Sequence, residues 1–598
     1  GFIVYTATAF VKVGELEDLR KIFEKYFELK LNEGESKVVS LKEAVREYVK
    51  PGMHVYFAYS PFGAVHEIVR QFHGHDANFT VSCLGALENI NMLISAGLVK
   101  RLVCGYAGLA FPSPVISGVI QRGLQEGLEI ENWSFLTMVQ RLIAGALGLP
   151  FMPTVSLKGS SIAEENEKGG DYKKTQDPFG NGEIGLVKAL KPDITIMHAY
   201  CADPAGNAIP MLCPAEEAYG AFASKEGVIL SVEKIVTTDY LRKHSLCVRV
   251  PASIVKCVVE VPFGMHPLGC RGHDGDGYGE DAEFARQLQE AFREKETTEA
   301  WLKEWILDVK SHEGYLRKVG SERLHMLRGR ISYDSWKTDA LKMVKSLSDA
   351  PPNRAERAAY FAACEIVDSV EKRGYNTILA GIGISHLASW VATYRLRDKG
   401  VPIDLVVELG TFGYLPPPGQ PFLVSVRGMG SCPMLTDTLG ILGFIENSTR
   451  MFASVSAGQV DRYGNVNSTK VDDFFLFGSG GANDVSVKAK EIVVTVLHDR
   501  RRLVEKVPYV TWLGDNVRKV VTDRAVFEKV DGELVLKKVY VREGESEKAA
   551  VDTVVRGVGW KPRMAEKLVR LGEPGREEIL MLRCFDPDRY FLGRLEEK

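Results

Sequence analysis

The feature that most constrains the fold is a helix–strand–turn pattern that occurs twice in the same order. In the first copy, apolar residues at helical spacing from position 41 precede a strand-like run at 55–59 and a turn into another helix. In the second copy, a helical stripe from position 359 precedes a strand-like run at 377–380. Each copy later carries Asp-x-x-Gly-Asn, beginning at Asp203 and at Asp461. The repeat predicts one supersecondary arrangement duplicated in tandem.

Helical and strand-like segments alternate through both copies, which predicts an α/β fold with largely parallel sheets. A local exception is Asp531-Gly532, which lies between two alternating apolar runs and predicts a β-hairpin. Between the copies, Pro351-Pro352 prevents a helix from continuing. We therefore expect an N-terminal extension, a first domain, a linker and a second domain at residues 1–36, 37–345, 346–354 and 355–598.

Composition narrows the class of protein. The net charge of −3 is spread without a basic half, which argues against nucleic-acid binding. Ten cysteines are scattered without a C-x-x-C pair, which indicates free thiols in a reducing compartment rather than disulfides or a zinc site. Residues 1–11 are apolar but lack the basic start of a signal peptide, and no apolar run reaches about 18 residues. These features predict a cytoplasmic protein without a membrane span.

The strongest chemical signal is Glu408, which directly follows a strand-like run at 403–407. Ligands of open α/β sheets bind at the carboxyl ends of the strands. Gly410 and Gly413 follow, and glycines allow the backbone to approach a ligand closely. A carboxylate in this position is suited to act as a nucleophile.

The order Glu-x-Gly-x-x-Gly-x-x-Pro at 408–416 resembles the nucleophile segment in the β subunits of family I coenzyme A (CoA) transferases of the glutaconate CoA-transferase type. Residues 456–469 and 478–486 resemble two further β-subunit motifs in their usual order. Upstream motifs similar to those of the α subunit lie at 177–183, 201–208 and 261–267. The resemblance implies a fused chain: an α-like half at 37–345 and a β-like half at 355–598, each doubly wound with a mostly parallel sheet (CoA-transferase/NagB-RpiA-like).

The resemblance also implies a covalent mechanism, in which Glu408 attacks an acyl-CoA and carries CoA as a glutamyl thioester. Oxyanions on this path need backbone donors, and the implied turn contains Ser60 and Gly63. Here the sequence departs from the family, because Tyr59-Ser60-Pro61 stands where many members have a glycine pair. CoA is expected as a substrate, with no tightly bound cofactor. The residues expected to contact CoA are Gly410, Gly413, Gly480, Gly481, Ala482 and Asn483.

Two other residues are secondary candidates. Glu131 follows a strand-like stretch of the first half and is a reserve catalytic carboxylate, because some relatives use a carboxylate of the α half. His266 lies in a glycine-rich loop with acidic residues and is a candidate for substrate contact. That loop imitates the start of an EF-hand, but Ala285 occupies the position of the bidentate glutamate, so we expect no metal.

Three functions fit the sequence. The first is a CoA-transferase that acts on an acyl-CoA and a small carboxylic acid. The second is a hydrolase or ring-opening enzyme for CoA esters on the same scaffold, and the third is a non-catalytic sensor of small ligands. Retention of Glu408 in its motif favours transfer, and the lack of a DNA-binding module argues against a sensor. A homodimer or homotetramer is expected.

Overall fold

The computed structural model describes residues 13–27, 33–180, 182–213, 215–216 and 218–595. The chain divides into two compact units, Gly1–Ser36 and Lys37–Lys598. In the first unit, the α-helix Val13–Ile22 is followed by a π-helical segment, Phe23–Phe27. The apolar run at 1–11 lies outside the described residues. The predicted boundary between the two halves of the second unit remains a prediction.

The first half of the large unit is built on an eight-stranded, mainly parallel sheet. The strand His54–Ala58 lies inside the sheet, and the chain adds strands first on one side of it and then on the other. This order is doubly wound, with its switch point beside His54–Ala58. Across the sheet the strands are Val255–Glu260, Val228–Ile235, Ile194–Ala202, His54–Ala58, Phe79–Ala86, Val99–Ala107 and Glu129–Asn132, and Ala208–Ile209 pairs antiparallel with Ile194–Ala202.

Helices cover this sheet, so its central strands are buried on both faces, and every residue of Ile194–Ala202 is buried. A small antiparallel sheet of Phe151–Thr154, Glu183–Lys188 and Tyr172–Gln176 is added at the side. The main helices of this half are Leu41–Tyr48, Phe62–Phe72, Glu88–Ser95, Gly118–Gln125, Phe135–Ala146, Ser161–Gly169, Tyr219–Ala223, Thr238–Lys243, Ala282–Ala291, Lys295–Leu302, His312–Val319, Ser321–Gly329 and Ala340–Ser346.

The second half contains a ten-stranded sheet with a parallel centre. Its strands across the sheet are Met434–Leu435, Thr411–Phe412, Asp404–Val407, Thr377–Ala380, Met451–Ser456, Glu491–Thr495, Val517–Val521, Ala525–Val530, Glu533–Tyr540 and Arg563–Leu571. The main helices are Arg354–Arg373, Ile384–Asp398, Val426–Met429, Ala482–Lys488, Glu547–Arg556 and Arg576–Phe585, with a π-helical segment at Leu439–Ile445. The prediction of two α/β domains in tandem is confirmed.

The opening helices of the two halves begin in the same way. Ser40 caps Leu41–Tyr48 in a capping box with Glu43. Asn353 and Glu356 form the equivalent box before Arg354–Arg373, which ends at Gly374 in the left-handed conformation. The hairpin at Asp531-Gly532 is also confirmed.

The two Asp-x-x-Gly-Asn segments form the same local structure. Asp203 Oδ1 accepts hydrogen bonds from the amides of Gly206 and Asn207, each at 2.9 Å. Asp461 Oδ1 accepts in the same way from the amide of Asn465, at 3.0 Å. The repeated motif therefore closes a tight loop in each half.

No helix within the described ranges is long and apolar enough to cross a membrane.

Candidate active site

A cavity of about 210 Å³ lies between the two halves. The first half lines it with residues that follow the strand His54–Ala58, including Tyr59 and Ser60. The second half lines it with Ile382, which follows Thr377–Ala380, and with Glu408. These strands lie at or beside the switch points of the two sheets, which is where ligands of doubly wound folds bind.

Glu408 directly follows the strand Asp404–Val407, as predicted, and its partly buried side chain lines the cavity. A tight turn sets its position, because the amide of Gly410 donates to the carbonyl of Val407 at 3.0 Å. Gly410 has a φ of 124°, and a Cβ atom there would lie 2.0 Å from the carbonyl oxygen of Thr436. The position therefore requires glycine.

The glycine-rich loop at 478–481 packs directly against the Glu408 carboxylate. A Cβ atom on Gly481 would lie 2.2 Å from Glu408 Oε2, so only glycine permits this approach. The backbone amide of Gly481 favours the ionised carboxylate and thereby acts to lower its pKa. Gly480 is fixed to the first half: its amide donates to the carbonyl of Gly105 at 2.8 Å, and its carbonyl accepts from the amide of Phe135 at 3.0 Å. The second half thus supplies the carboxylate and the loop, and the first half holds the loop in place.

Burial, together with the nearby Asp484 carboxylate, raises the pKa of Glu408 to about 7, although the Gly481 amide acts to lower it. Asp484 is itself buried, which raises its pKa to about 6 despite hydrogen bonds that favour its charge. Its two oxygens accept from Ser134 Oγ at 2.6 Å and from the amide of Leu136 at 3.0 Å. Asp484 thereby joins the β-like half to the start of the helix Phe135–Ala146.

The other predicted CoA-contacting residues have structural roles in this conformation. The amide of Gly413 donates to the carbonyl of Leu405 at 2.8 Å, so Gly413 shapes the turn after Glu408. Ala482 begins the helix Ala482–Lys488. Asn483 is buried, and its side chain bonds the amide of Leu157 and the carbonyl of Thr511.

The predicted oxyanion turn faces the cavity through Ser60, which shares the lining with Glu408. Tyr59 and Ser60 have φ values of 59° and 49°, an uncommon conformation for residues other than glycine. The strand therefore ends at Ala58, one residue earlier than the sequence predicts. The amide of Gly63 donates to the carbonyl of Gly264 at 2.9 Å, so this amide is already engaged.

Glu131 lines a separate cavity, where its carboxylate forms ion pairs with neighbouring arginine side chains. Arg141 Nη1 lies 2.8 Å from Glu131 Oε1, and Arg101 contacts the other oxygen. Burial opposes ionisation of Glu131, but Arg141, Trp133 and Arg101 together lower the pKa of the carboxyl.

His266 is buried, with its ring nitrogens 2.6 Å from Tyr315 Oη and 3.0 Å from Asp281 Oδ2. The structure therefore does not bring Glu131 or His266 together with Glu408.

Comparisons of the sequence and the fold with known proteins identify the family of this chain. A sequence profile of the family described as "Coenzyme A transferase" matches residues 38–261. Over 312 residues, the chain is 30% identical to the A-type subunit of the glutaconate CoA-transferase from Acidaminococcus fermentans, covering 49% of this chain and 95% of that protein. This chain belongs to the coenzyme A transferase family.

The relationship to both subunit types shows that the chain is a fused CoA-transferase. The B-type subunit of the same A. fermentans enzyme is 30% identical over 147 residues, which cover 23% of this chain and 54% of that protein. The A-type subunit of a Pseudomonas knackmussii 3-oxoadipate CoA-transferase is 28% identical over 290 residues, covering 48% of this chain and 98% of that protein. An acyl-CoA transferase from Escherichia coli O157:H7 has the same fold, with a TM-score of 0.61, 18% identity and coverage of 95% and 99% of the two chains.

Two acidic residues of the site were not among the predicted site residues of this CoA-transferase. Asp484 lies inside the glycine-rich motif at 478–486, and its nearness to Glu408 depends on tertiary packing. Glu216 lines the cavity, and burial raises its pKa to about 8. Its acidic neighbour along the chain does not indicate that it is buried.

One group of side chains in the described residues has the composition of a metal site: His198, Glu233 and Cys270. Glu233 Oε1 lies 2.8 Å from His198 Nε2 and accepts from Tyr278 Oη at 2.7 Å. Glu233 Oε2 accepts from the amide of Phe263 at 2.7 Å. This hydrogen-bonded network satisfies the carboxylate without an ion.

Proposed function

We propose that this enzyme moves CoA from an acyl-CoA to a carboxylic acid through a thioester on Glu408. The observation that carries the proposal is the placement of the Glu408 carboxylate in the wall of a cavity that both halves build, with Gly481 packed closely against it. Such a carboxylate is a nucleophile that is regenerated at the end of the cycle.

The reaction divides into four acyl transfers. Glu408 attacks the thioester carbonyl, the carbon–sulfur bond breaks, and CoA thiolate leaves an acyl-glutamyl anhydride. The thiolate then attacks the glutamyl carbonyl, which releases the first acid and forms the glutamyl-CoA thioester. The acceptor carboxylate displaces CoA to give a second anhydride, and the thiolate attacks its acyl carbonyl to release the new acyl-CoA and free Glu408.

The surroundings of Glu408 suit this cycle. Burial reduces the hydration that would stabilise the carboxylate, so the ionised form is more reactive than one in water. The Gly481 amide acts on the Glu408 carboxylate, and the Ser60 turn lines the same cavity as Glu408, so we assign the oxyanion donors to these two backbone segments. Gly410 and the glycine loop supply the close packing that CoA contact needs.

The decisive test is a covalent adduct. Wild-type enzyme incubated with acyl-CoA and no acceptor should release the free acid and retain CoA on the peptide that contains Glu408, detected by mass spectrometry. Glu408→Gln should form no adduct and lose at least about three orders of magnitude in kcat, because the covalent step is removed. Glu131→Gln is the matched control, since it neutralises the reserve carboxylate, and it should still form the adduct.

If Glu408→Gln still formed the adduct and Glu131→Gln did not, Glu131 would be the nucleophile instead. Release of acid and free CoA in equal amounts, without an adduct and without an acceptor, would favour the hydrolase alternative.

The proposal includes a cytoplasmic homodimer or homotetramer. The cysteines of the described residues are free thiols, which suits a reducing compartment. Light scattering of the purified chain would give the assembly, and a monomer would contradict it.

A further inference from the structure

Resting on the proposed function, we infer that the acyl group carried by this enzyme is compact and apolar, from a monocarboxylic acid of about five to eight carbons. Glutaconate and 3-oxoadipate, which name two of the relatives, are dicarboxylic acids. The chemistry of the cavity beside Glu408 does not suit a second carboxylate.

Apolar side chains from both halves dominate the wall of the cavity. They include Phe57, Leu84, Met211, Met265, Phe422 and Met429, each 7% exposed or less. Two of the six are methionines from the first half, whose flexible side chains adapt to an apolar ligand. Such a wall favours hydrocarbon over charge, because transfer of apolar surface out of water drives binding.

Within the described part of the chain, no lysine, arginine or histidine lines this cavity. Arg427 is adjacent to the lining residue Val426, but its Nη2 lies 3.2 Å from Asp339 Oδ2 and it borders a different cavity. A second carboxylate on the substrate would therefore be buried without a cationic partner, which is strongly unfavourable.

The charged groups that do line the cavity are carboxyls: Glu216, Glu280 and Glu408. Glu280 is already satisfied, since its oxygens accept from the Val426 amide at 2.6 Å and from Ser425 Oγ at 3.0 Å. Burial raises the pKa of Glu216 to about 8, so at neutral pH it is mostly a neutral acid and provides no positive charge. An anionic tail would meet either neutral or negative groups.

The volume of the cavity beside Glu408 limits the size of the acyl group that it can hold. An apolar protein cavity of about 150 Å³ accommodates benzene. The cavity here, at about 210 Å³, therefore suits a ring or chain of about five to eight carbons. An acetyl group would leave most of the apolar wall without contacts, which predicts weak use of acetyl-CoA.

The test compares donors in the half-reaction that needs no acceptor. Hexanoyl-CoA and adipoyl-CoA share a six-carbon chain and differ by one carboxylate, and acetyl-CoA tests the effect of length. The second-order rate constant for formation of the Glu408–CoA adduct should be at least about 100-fold higher for hexanoyl-CoA than for adipoyl-CoA. It should also be at least about tenfold higher for hexanoyl-CoA than for acetyl-CoA.

A preference of tenfold or less for hexanoyl-CoA over adipoyl-CoA would overturn the inference and leave the proposed function standing. Failure of all three donors to form the adduct, with Glu408→Gln as the blank, would overturn the proposed function and this inference with it. The two failures are therefore distinguishable.

A substitution tests whether this cavity is the acyl site. Met429→Lys introduces a cation into the wall, and Met429→Leu is the apolar control. The Lys variant should reduce the preference for hexanoyl-CoA over adipoyl-CoA at least tenfold, whereas the Leu variant should keep the wild-type preference. An unchanged preference in a folded Lys variant would overturn the assignment of the cavity. Should that variant not fold, the comparison of donors on the wild-type enzyme decides.

Discussion

Replacing Glu408 with glutamine should stabilise the protein while it abolishes transfer, and the gain in stability should depend on pH. The folded state raises the pKa of Glu408 from 4.5 to about 7. A carboxyl whose pKa is higher in the folded state than in the unfolded state increases the free energy of unfolding while it is protonated. This contribution is complete below about pH 4.5 and is lost as pH rises through 7.

The size of the effect follows from the pKa. One pKa unit corresponds to about 1.4 kcal/mol, so ionised Glu408 costs the folded state at most about 3 to 4 kcal/mol well above pH 7. The side chain is partly exposed to the cavity, and solvent reduces the cost, so we expect roughly 2 kcal/mol. Glutamine has nearly the same shape and no charge, so it avoids this cost at every pH.

Thermal melting of wild type and Glu408→Gln at pH 5 and pH 8.5 measures the effect. The two proteins should melt within about 1 °C of each other at pH 5. The variant should melt roughly 2 °C higher at pH 8.5, because an unfolding entropy of about 2 cal/mol/K per residue sums to about 1.3 kcal/mol/K over 598 residues. Glu131→Gln should show the opposite sign, because the pKa of Glu131 is lowered in the folded state and its charge is stabilising above pH 4.5. A Glu408→Gln variant that melts no higher than wild type at pH 8.5 would refute the electrostatic reasoning.

Three further predictions concern the site. Because Asp484 raises the pKa of Glu408, Asp484→Asn should move the acidic limb of the pH profile of kcat to lower pH, and an unmoved limb would show that Asp484 does not act on Glu408. Gly481→Ala places a Cβ 2.2 Å from Glu408 Oε2 and should lower kcat/KM at least about tenfold, whereas Gly329→Ala, with no atom within 4 Å of its Cβ, should not. Residues 1–345 and 355–598, expressed separately, should each be inactive and should regain activity on mixing; full activity in one half alone would contradict a shared site.

Local signals were sufficient to predict the architecture and the position of Glu408. The capping box at Ser40 and the glycine that ends the helix before Thr377–Ala380 depend on neighbours only a few residues away. The alternation of helix and strand likewise follows from local periodicity, and with the repeat it gives two domains.

The roles of individual site residues depend on contacts between residues that are far apart in the chain, and the sequence does not predict these contacts. The Gly63 amide bonds the carbonyl of Gly264, and Glu131 pairs with Arg141 across the turn into the next helix. Asp484 affects Glu408 only because the fold places two buried carboxylates together. The sequence pattern therefore does not predict which charged side chains are buried or which hydrogen-bond donors are already engaged.

The attachment of the glycine loop to the first half affects how strongly the two halves must bind each other. Its contacts to Gly105 and Phe135 are made by main-chain atoms, and two separate polypeptides would have to find each other to form them. Covalent connection keeps the partners at an effective concentration in the millimolar range, so a modest affinity between the halves is sufficient. Specific activity should consequently stay constant when the enzyme is diluted far below the concentration at which a mixture of the separate halves falls apart.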